Sequence, residues 1–282
     1  MIFFPLVGAI ALASLTIMEK IVLRKRKIKI TLFQTATFFA AVLVMLPFLY
    51  FFWKLEPQAL NPVNILIFLG IILVSVFANI FSFFALKGEK VSNLEPALIM
   101  EPLFTILLAI LFSFFAAELY QRNLQVIIPA IIAGLALVIS HIKKEHIHFN
   151  KYFLAAIAGS FLFALELVMS KLILNYYSPL SFYFFRCSAV FLLSYLFFRP
   201  KFSEIDIKLR GKIFLIGFLW VLYRIIVYYG YLLFGVIFTT LIIMLGPVFV
   251  YLFARIFLKE KLNWKNILAS IIIIACIVYV LI

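Results

Sequence analysis

Four ionisable side chains stand inside long apolar stretches of this 282-residue sequence, where a charge is costly. A charged residue at the centre of a membrane-spanning helix costs about 2.5–3.5 kcal/mol on insertion scales, so such residues mark binding sites, ion pairs or proton relays. Two acids and two bases can pair with one another, or they can face a water-filled cavity, and the sequence leaves both alternatives open. The four residues are Glu101, Glu166, Arg186 and Arg224.

Arg224 has aromatic neighbours at helical spacing. Trp220 and Tyr228 stand four positions before and after it, so the three side chains share one helical face. A guanidinium suits a carboxylate or phosphate through bidentate hydrogen bonds, and aromatic rings add cation–π contacts. We expect this face to bind a small molecule with an anionic or zwitterionic group, among which an amino acid fits best. The alternative is that Arg224 pairs with Glu101 or Glu166 only to neutralise buried charge.

A proline interrupts two of the apolar stretches: Pro102 directly follows Glu101, and Pro247 directly follows Gly246. A proline inside a helix lacks its N–H, which leaves the carbonyl four residues earlier without its usual partner. We therefore expect a bent helix or hinge at Pro102 and at Pro247, with a plain packing kink as the alternative. Glu101 is also a candidate to carry a proton, because a carboxylic acid in apolar surroundings can load and release one.

The elements that carry these residues are apolar segments long enough to span a membrane. The chain is 67% hydrophobic and 13% charged, whereas soluble domains are about 45–50% apolar and about 25% charged. The runs are continuous rather than alternating, which excludes a β-barrel as well as a soluble enzyme. We predict an all-α integral membrane protein with ten transmembrane helices. The predicted spans are 3–23, 31–53, 63–86, 92–115, 122–141, 152–173, 179–198, 212–233, 236–258 and 264–282.

The net charge of +14 is distributed as a topology signal. Eighteen Lys and Arg residues follow odd-numbered spans, whereas three follow even-numbered spans. Short cytoplasmic connectors carry excess Lys and Arg, so both termini are predicted outside, in the cell (inner) membrane of a prokaryote. The positive charge therefore gives no reason to expect a nucleic-acid partner.

The ten spans divide into two five-span repeats, residues 1–145 and 146–282. The first span of each repeat ends in a similar motif, Met18-Glu19-Lys20 in one and Met169-Ser170-Lys171 in the other. Because five is odd, the second repeat must lie inverted relative to the first. Inverted repeats are typical of secondary transporters, whose binding site lies near the midplane between the repeats, at proline- or glycine-interrupted spans.

The repeats also place polar residues at corresponding positions. When they are aligned on the two prolines, Arg224 corresponds to Asn79, which shares a helical face with Ser75. We expect Ser75 and Asn79 to line the same central cavity as Arg224. The alternative is that these small polar side chains hydrogen-bond between helices and hold them together.

This pattern resembles the EamA-type transporters of the drug/metabolite transporter superfamily. The resemblance implies a basket of helices around a central cavity, and most members export or exchange amino acids, nucleotide sugars, sugar phosphates or drugs. The resemblance covers essentially the whole chain. In the second half, the spacing from Pro247 to Glu260 is the family's usual one, whereas the spacing from Pro102 to Glu118 in the first half is three residues longer. The residues that carry it are Lys20 and Lys171, Pro102 and Pro247, and Glu118 and Glu260.

We therefore expect a secondary transporter that moves a small polar or amphipathic metabolite by alternating access, with a proton as a candidate coupling ion. We expect a monomer or homodimer without enzymatic activity, cofactor or metal. His141, His146 and His148 fall in a basic connector and are expected to be solvated, as Glu118 is expected to serve a helix N-terminus. The alternatives are a lipid or lipid-linked sugar flippase, a non-transporting membrane protein and an integral-membrane enzyme.

Overall fold

The computed structural model describes residues 3–25, 28–89, 91–120, 122–141, 150–249 and 264–282, and over these residues the fold is all-α, as predicted. Seven helices are long and apolar enough to cross a membrane. Three shorter apolar segments, Pro96–Phe112, Leu124–Ser140 and Val236–Phe249, bring the architecture to that of an integral membrane protein of about ten helices. The helices are α1 (Phe3–Lys25), α2 (Ile30–Phe52), α3 (Pro62–Gly88), α4 (Val91–Leu98), α5 (Met100–Phe112), α6 (Leu124–His141), α7 (Lys151–Leu174), α8 (Pro179–Phe198), α9 (Ile207–Leu233), α10 (Val236–Ile243) and α11 (Trp264–Leu281).

The three helices that carry Glu166, Arg186 and Arg224 all begin at a capping side chain. The first N–H groups of a helix have no partner within it, so a preceding Asn, Ser or Asp oxygen accepts from them. Asn150 caps α7 and Ser178 caps α8, while Asp206 caps α9 by accepting from the Leu209 N–H at 2.6 Å. These caps fix where each helix starts, and hence the depth at which its charged residue lies.

Both prolines interrupt their spans as expected. The helix ends at Leu98 in one span and at Ile243 in the other, in each case four residues before the proline. That residue's carbonyl would have accepted the missing N–H. The carbonyl of Leu98 instead accepts the Ser160 hydroxyl of α7 at 3.5 Å.

Helices from the two predicted repeats pack across one another. Helix α1 lies against α9, and α7 lies against α3, while α2 packs on α8 and α6 packs on α11. Glycines allow two of these close approaches: a Cβ at Gly159 of α7 would lie 2.6 Å from the Ser82 oxygen, and one at Gly8 would lie 2.8 Å from Ile226. The predicted boundary between the repeats, at residues 145 and 146, lies outside the described residues.

Connectors that the sequence assigns to the same side of the membrane contact each other. The segment after α2 meets the segment after α7, where the Glu56 N–H donates to the Tyr176 carbonyl at 2.9 Å. On the opposite side, Lys29 pairs with Glu204 at 3.3 Å and Asn150 donates to Glu89 at 2.9 Å. Two connectors that touch lie on the same side of the membrane, so the chain between them crosses the membrane an even number of times. The ten-span prediction gives an even number for each of these contacts.

Candidate functional site

Glu166 of α7 lies at the centre of a buried charge cluster. Its Oε2 atom is 3.1 Å from Nη2 of Arg186 on α8 and 3.4 Å from Nη2 of Arg224 on α9. All three side chains are essentially inaccessible to solvent. One carboxylate therefore neutralises part of the charge of two arginines, and the cluster carries an excess positive charge unless another acid contributes.

Polar groups from three helices complete the cluster. Tyr228 of α9 donates its hydroxyl to Oε1 of Glu166 at 3.0 Å, and Ser170 donates to the same oxygen at 3.2 Å. Arg186 donates to the Ser75 hydroxyl of α3 at 2.6 Å and to the Tyr228 oxygen at 3.3 Å. The cluster thus joins residues of both predicted repeats.

The guanidinium of Arg224 is surrounded by aromatic rings. Its Cζ atom lies 5.3 Å from the ring centroid of Trp220, 5.5 Å from that of Tyr223 and 5.7 Å from that of Phe163. Its Nε and Nη1 atoms are buried without a hydrogen-bond partner among the described residues. Arg224 therefore has donors to offer to a further acceptor.

Two more buried polar atoms beside the cluster have no hydrogen-bond partner in the described part of the chain: Nε of Arg186 and Oδ1 of Asn79. Within the cluster, Oε2 of Glu166 has its ion-pair contacts with the two arginines but no geometrically good hydrogen bond. The amide of Asn79 is oriented by its own helix, since its Nδ2 donates to the Ser75 carbonyl at 2.7 Å. A donor and an acceptor are thus left available. Buried polar groups are nearly always hydrogen-bonded in native proteins, so unpaired ones indicate a bound molecule or a functional role.

Glu101 lies on the first turn of α5, directly after the break in that span, and is half-buried. It is close enough to Arg224 and Glu166 for the charges to interact, although among the described residues its carboxylate forms no ion pair within 4.0 Å with Arg224. The carboxylate partner of Arg224 is therefore Glu166. Pro102 and Pro247 stand one turn after their respective helix breaks.

Sequence reasoning missed a second buried acid, Glu19 of α1. Its Oε1 atom accepts the indole N–H of Trp220 at 2.8 Å, and the residue is 8% exposed. Trp220 in turn covers Arg224. Glu19 stands near the end of its span, where a charge is expected to reach the membrane surface. The sequence signal that could have identified Glu19 is its position in the motif that α1 shares with α7.

One further expectation from the sequence is wrong, and others concern residues that the structure does not describe. Glu118 is exposed and α6 begins only at Leu124, where Asn123 accepts the Gln125 N–H at 3.0 Å, so the expected helix-capping role of Glu118 is wrong. Glu260, His146, His148 and the side chains of Lys20 and His141 lie outside the described residues. Among the described residues, a cavity of about 30 Å³ adjoins Tyr120 and Gly235, and an open groove of about 460 Å³ lies between α6 and α11. Neither is lined by residues of the charge cluster.

Comparison with known proteins shows a shared fold and a family match over part of the chain. No curated protein matches the sequence. Twenty-eight chains of solved structures match; one, a protein known by its crystal structure, aligns over 99% of this chain and 94% of its own with a TM-score of 0.69 and 16% identity, which shows a shared fold. Residues 150–282 match the EamA-like transporter family. The matched residues include Glu166, Arg186 and Arg224, so the part of the chain that carries the charge cluster is similar to EamA-like transporters.

Proposed function

We propose that this protein is a secondary transporter that carries a small metabolite with an anionic or zwitterionic group, and that the cluster around Arg224 is its binding site. The observation that carries the proposal is the set of unpaired donors on Arg224, which lies in the part of the chain that matches the EamA-like transporter family. The aromatic rings cover the guanidinium, so a ligand reaches it through the N–H edges that remain. A carboxylate or phosphate matches such an edge with two parallel hydrogen bonds.

A purely structural ion pair is the main competing explanation, and the hydrogen bonding argues against it. Buried charges are tolerated when their remaining donors and acceptors are satisfied. Here one carboxylate serves two arginines, and donors on Arg224 and Arg186 stay unpaired. An anionic group placed against Arg224 would balance the second positive charge and satisfy those donors.

The broken spans support alternating access. Helix breaks at Ile99 and at Met244 occur at corresponding positions of the two proposed repeats, and both lie three residues before a proline. Breaks of this kind beside a buried site allow each half of a span to tilt without unpacking the rest. The contacts between connectors on each face give the two repeats a means to close alternately.

A lipid or lipid-linked sugar flippase would need a lateral opening with a basic pocket near one leaflet. The groove between α6 and α11 does open sideways, but its lining has no Lys or Arg. It consists of Leu124, Gln125, Ile128, Pro129, Ile132, Ala275, Cys276 and Tyr279. This groove therefore gives no support to headgroup recognition.

The proposal is tested by uptake of a radiolabelled metabolite panel, with amino acids, sugar phosphates and nucleotide sugars, into proteoliposomes containing the full chain. We expect at least one anionic or zwitterionic compound to accumulate, and Arg224→Ala to abolish its uptake. Lys208→Ala, which removes an exposed cation from the same helix, is the matched control and should transport normally. Wild-type uptake of no panel member, or unimpaired uptake by Arg224→Ala, would overturn the proposal.

A further inference from the structure

Glu19 is a buried acid that takes no part in the ion pairs of the cluster around Glu166. It comes from α1, a helix that contributes nothing to the ion pairs of that cluster, and its described polar partner is the neutral indole N–H of Trp220 at 2.8 Å. Glu166, by contrast, lies within 3.4 Å of two guanidinium groups. The two buried carboxyls therefore stand in opposite environments, one facing cations and the other facing an uncharged donor.

The groups facing Glu19 can be enumerated helix by helix. Helix α1 packs against α9, α10 and α3. Helix α9 supplies Trp220 and, one turn further on, Arg224 with Tyr223, and its first two turns carry Lys208, Arg210 and Lys212. Helix α10 has no ionisable residue, and the ionisable residue of α3 is Lys87, exposed in its last turn. No described cation therefore forms an ion pair with Glu19.

The choice of residue type is informative. A glutamine at position 19 would accept the same indole hydrogen bond without the cost of placing an ionisable group in an apolar span. An ionised carboxylate without a cationic partner is unfavourable in such surroundings, and protonation relieves that cost. A carboxyl group is useful here only if it takes up and releases a cation, and the smallest such cation is a proton.

We propose that Glu19 is a proton-binding site of the transporter and that Trp220 links its protonation state to Arg224. This proposal rests on the proposed function, and it moves the proton from Glu101, the candidate from the sequence, to Glu19. The proton is taken up from water on one side of the membrane and released to water on the other. When Glu19 is ionised, its Oε1 holds the indole strongly; when it is protonated, the hydrogen bond weakens and Trp220 is freer to move relative to Arg224.

A ligand-free fluorescence titration tests the proposal. The chain has three tryptophans, and Trp53 and Trp264 are both exposed. In a Trp53→Phe, Trp264→Phe background reconstituted in neutral-lipid nanodiscs, emission reports on Trp220. We expect one sigmoidal change in emission between about pH 4 and about pH 9, a range in which Tyr and Lys do not ordinarily titrate.

The variants decide the assignment. Glu19→Gln, which preserves shape and the hydrogen-bond acceptor, should give a flat profile, whereas Glu101→Gln should keep the step. A step that persists in Glu19→Gln, a step that only Glu101→Gln removes, or a flat profile in the parent background would each overturn the assignment of the proton to Glu19.

Transport provides the second readout and separates the two proposals. For any compound taken up from the panel, Glu19→Gln should retain exchange at equal pH on both sides but lose acceleration by an imposed pH gradient. A Glu19→Gln protein that keeps full acceleration contradicts the proton site. A wild-type protein that exchanges no panel member contradicts the proposed function instead, and leaves the fluorescence result to decide the proton site.

Discussion

Glu166 is the residue on which the buried cluster depends. Its two oxygens contact Arg186, Arg224, Tyr228 and Ser170. Removing one partner of a buried ion pair leaves an uncompensated charge and is far more damaging than removing the whole pair. The consequences of substitution should therefore be largest at Glu166 rather than at either arginine, because its loss leaves two cations unpaired.

Replacement of Glu166 by leucine should destabilise the protein by about 3–5 kcal/mol, the range found when a buried pair is broken. Thermal unfolding of the purified protein in detergent measures this as a clear fall in Tm. The matched control is Glu118→Leu, at an exposed acid outside the helices, which should leave Tm close to wild type. A Glu166→Leu protein as stable as that control would show that the ion pairs contribute nothing to the fold.

Ser75 should matter through Arg186 alone. Its hydroxyl accepts from Nη2 of Arg186 at 2.6 Å, and hydrogen bonds to charged groups contribute about 1.5–3 kcal/mol. We expect Ser75→Ala to lower stability by that amount in the same unfolding assay. Ser14→Ala removes a hydroxyl that bonds only to its own helix and serves as control. Equal effects of the two substitutions would argue against a special role for Ser75.

At the residue scale, the sequence identifies most of the cluster but not its pairing. Charges deep in apolar runs, and aromatic residues spaced around Arg224, are visible in one dimension. Which acid meets Arg224 depends on how α7 and α9 are rotated against each other, which spacing does not encode. The burial of Glu19 is not predicted for another reason: an acid near the end of a span is expected to reach the membrane surface.

The interrupted spans are the elements on which the proposed alternating access depends most. The helix ends four residues before Pro102 and four before Pro247, where the carbonyl loses its N–H partner. The sequence predicts these breaks directly, since the missing donor and its orphaned carbonyl are fixed by covalent structure. The Ser160 hydroxyl that serves Leu98 could not be predicted, because it comes from another helix.

Straightening α4 and α5 into one helix should impair transport without harming the fold. Pro102→Ala restores an N–H donor, so thermal stability should stay equal or rise, by up to about 3 kcal/mol. Transport should fall about tenfold or more, which corresponds to about 1.4 kcal/mol in the rate-limiting barrier. Pro47→Ala, at an exposed proline inside α2, is the matched control. Wild-type transport by Pro102→Ala would reduce the break to a packing kink.

At the scale of the whole molecule, contacts between connectors fix which segments share a face. Apolar length suffices to predict the spans, because charge is costly in a bilayer, and the distribution of Lys and Arg predicts which side each connector lies on. The packing of α1 on α9 and of α7 on α3, in which each helix contacts the other predicted repeat, is not predictable in this way. It depends on close helix contacts such as those at Gly8 and Gly159.

The predicted orientation is tested with single cysteines in a chain whose Cys187 and Cys276 are replaced by serine. Gln58 and Ser203 are exposed in connectors on opposite faces. We expect a membrane-impermeant thiol reagent to label Gln58→Cys in intact cells and Ser203→Cys only after permeabilisation. The reverse pattern would invert the protein, and equal labelling of both in intact cells would contradict the number of spans.

The central claim is that the free edge of Arg224 binds the transported anionic group. The most direct test is equilibrium exchange by Arg224→Lys, which keeps a cation beside Glu166 but removes the planar donors Nε and Nη1. We predict that the half-saturating substrate concentration rises about tenfold or more, equal to about 1.4 kcal/mol of lost binding, while Tm stays near wild type. An Arg224→Lys protein that exchanges substrate at the wild-type half-saturating concentration would contradict the account.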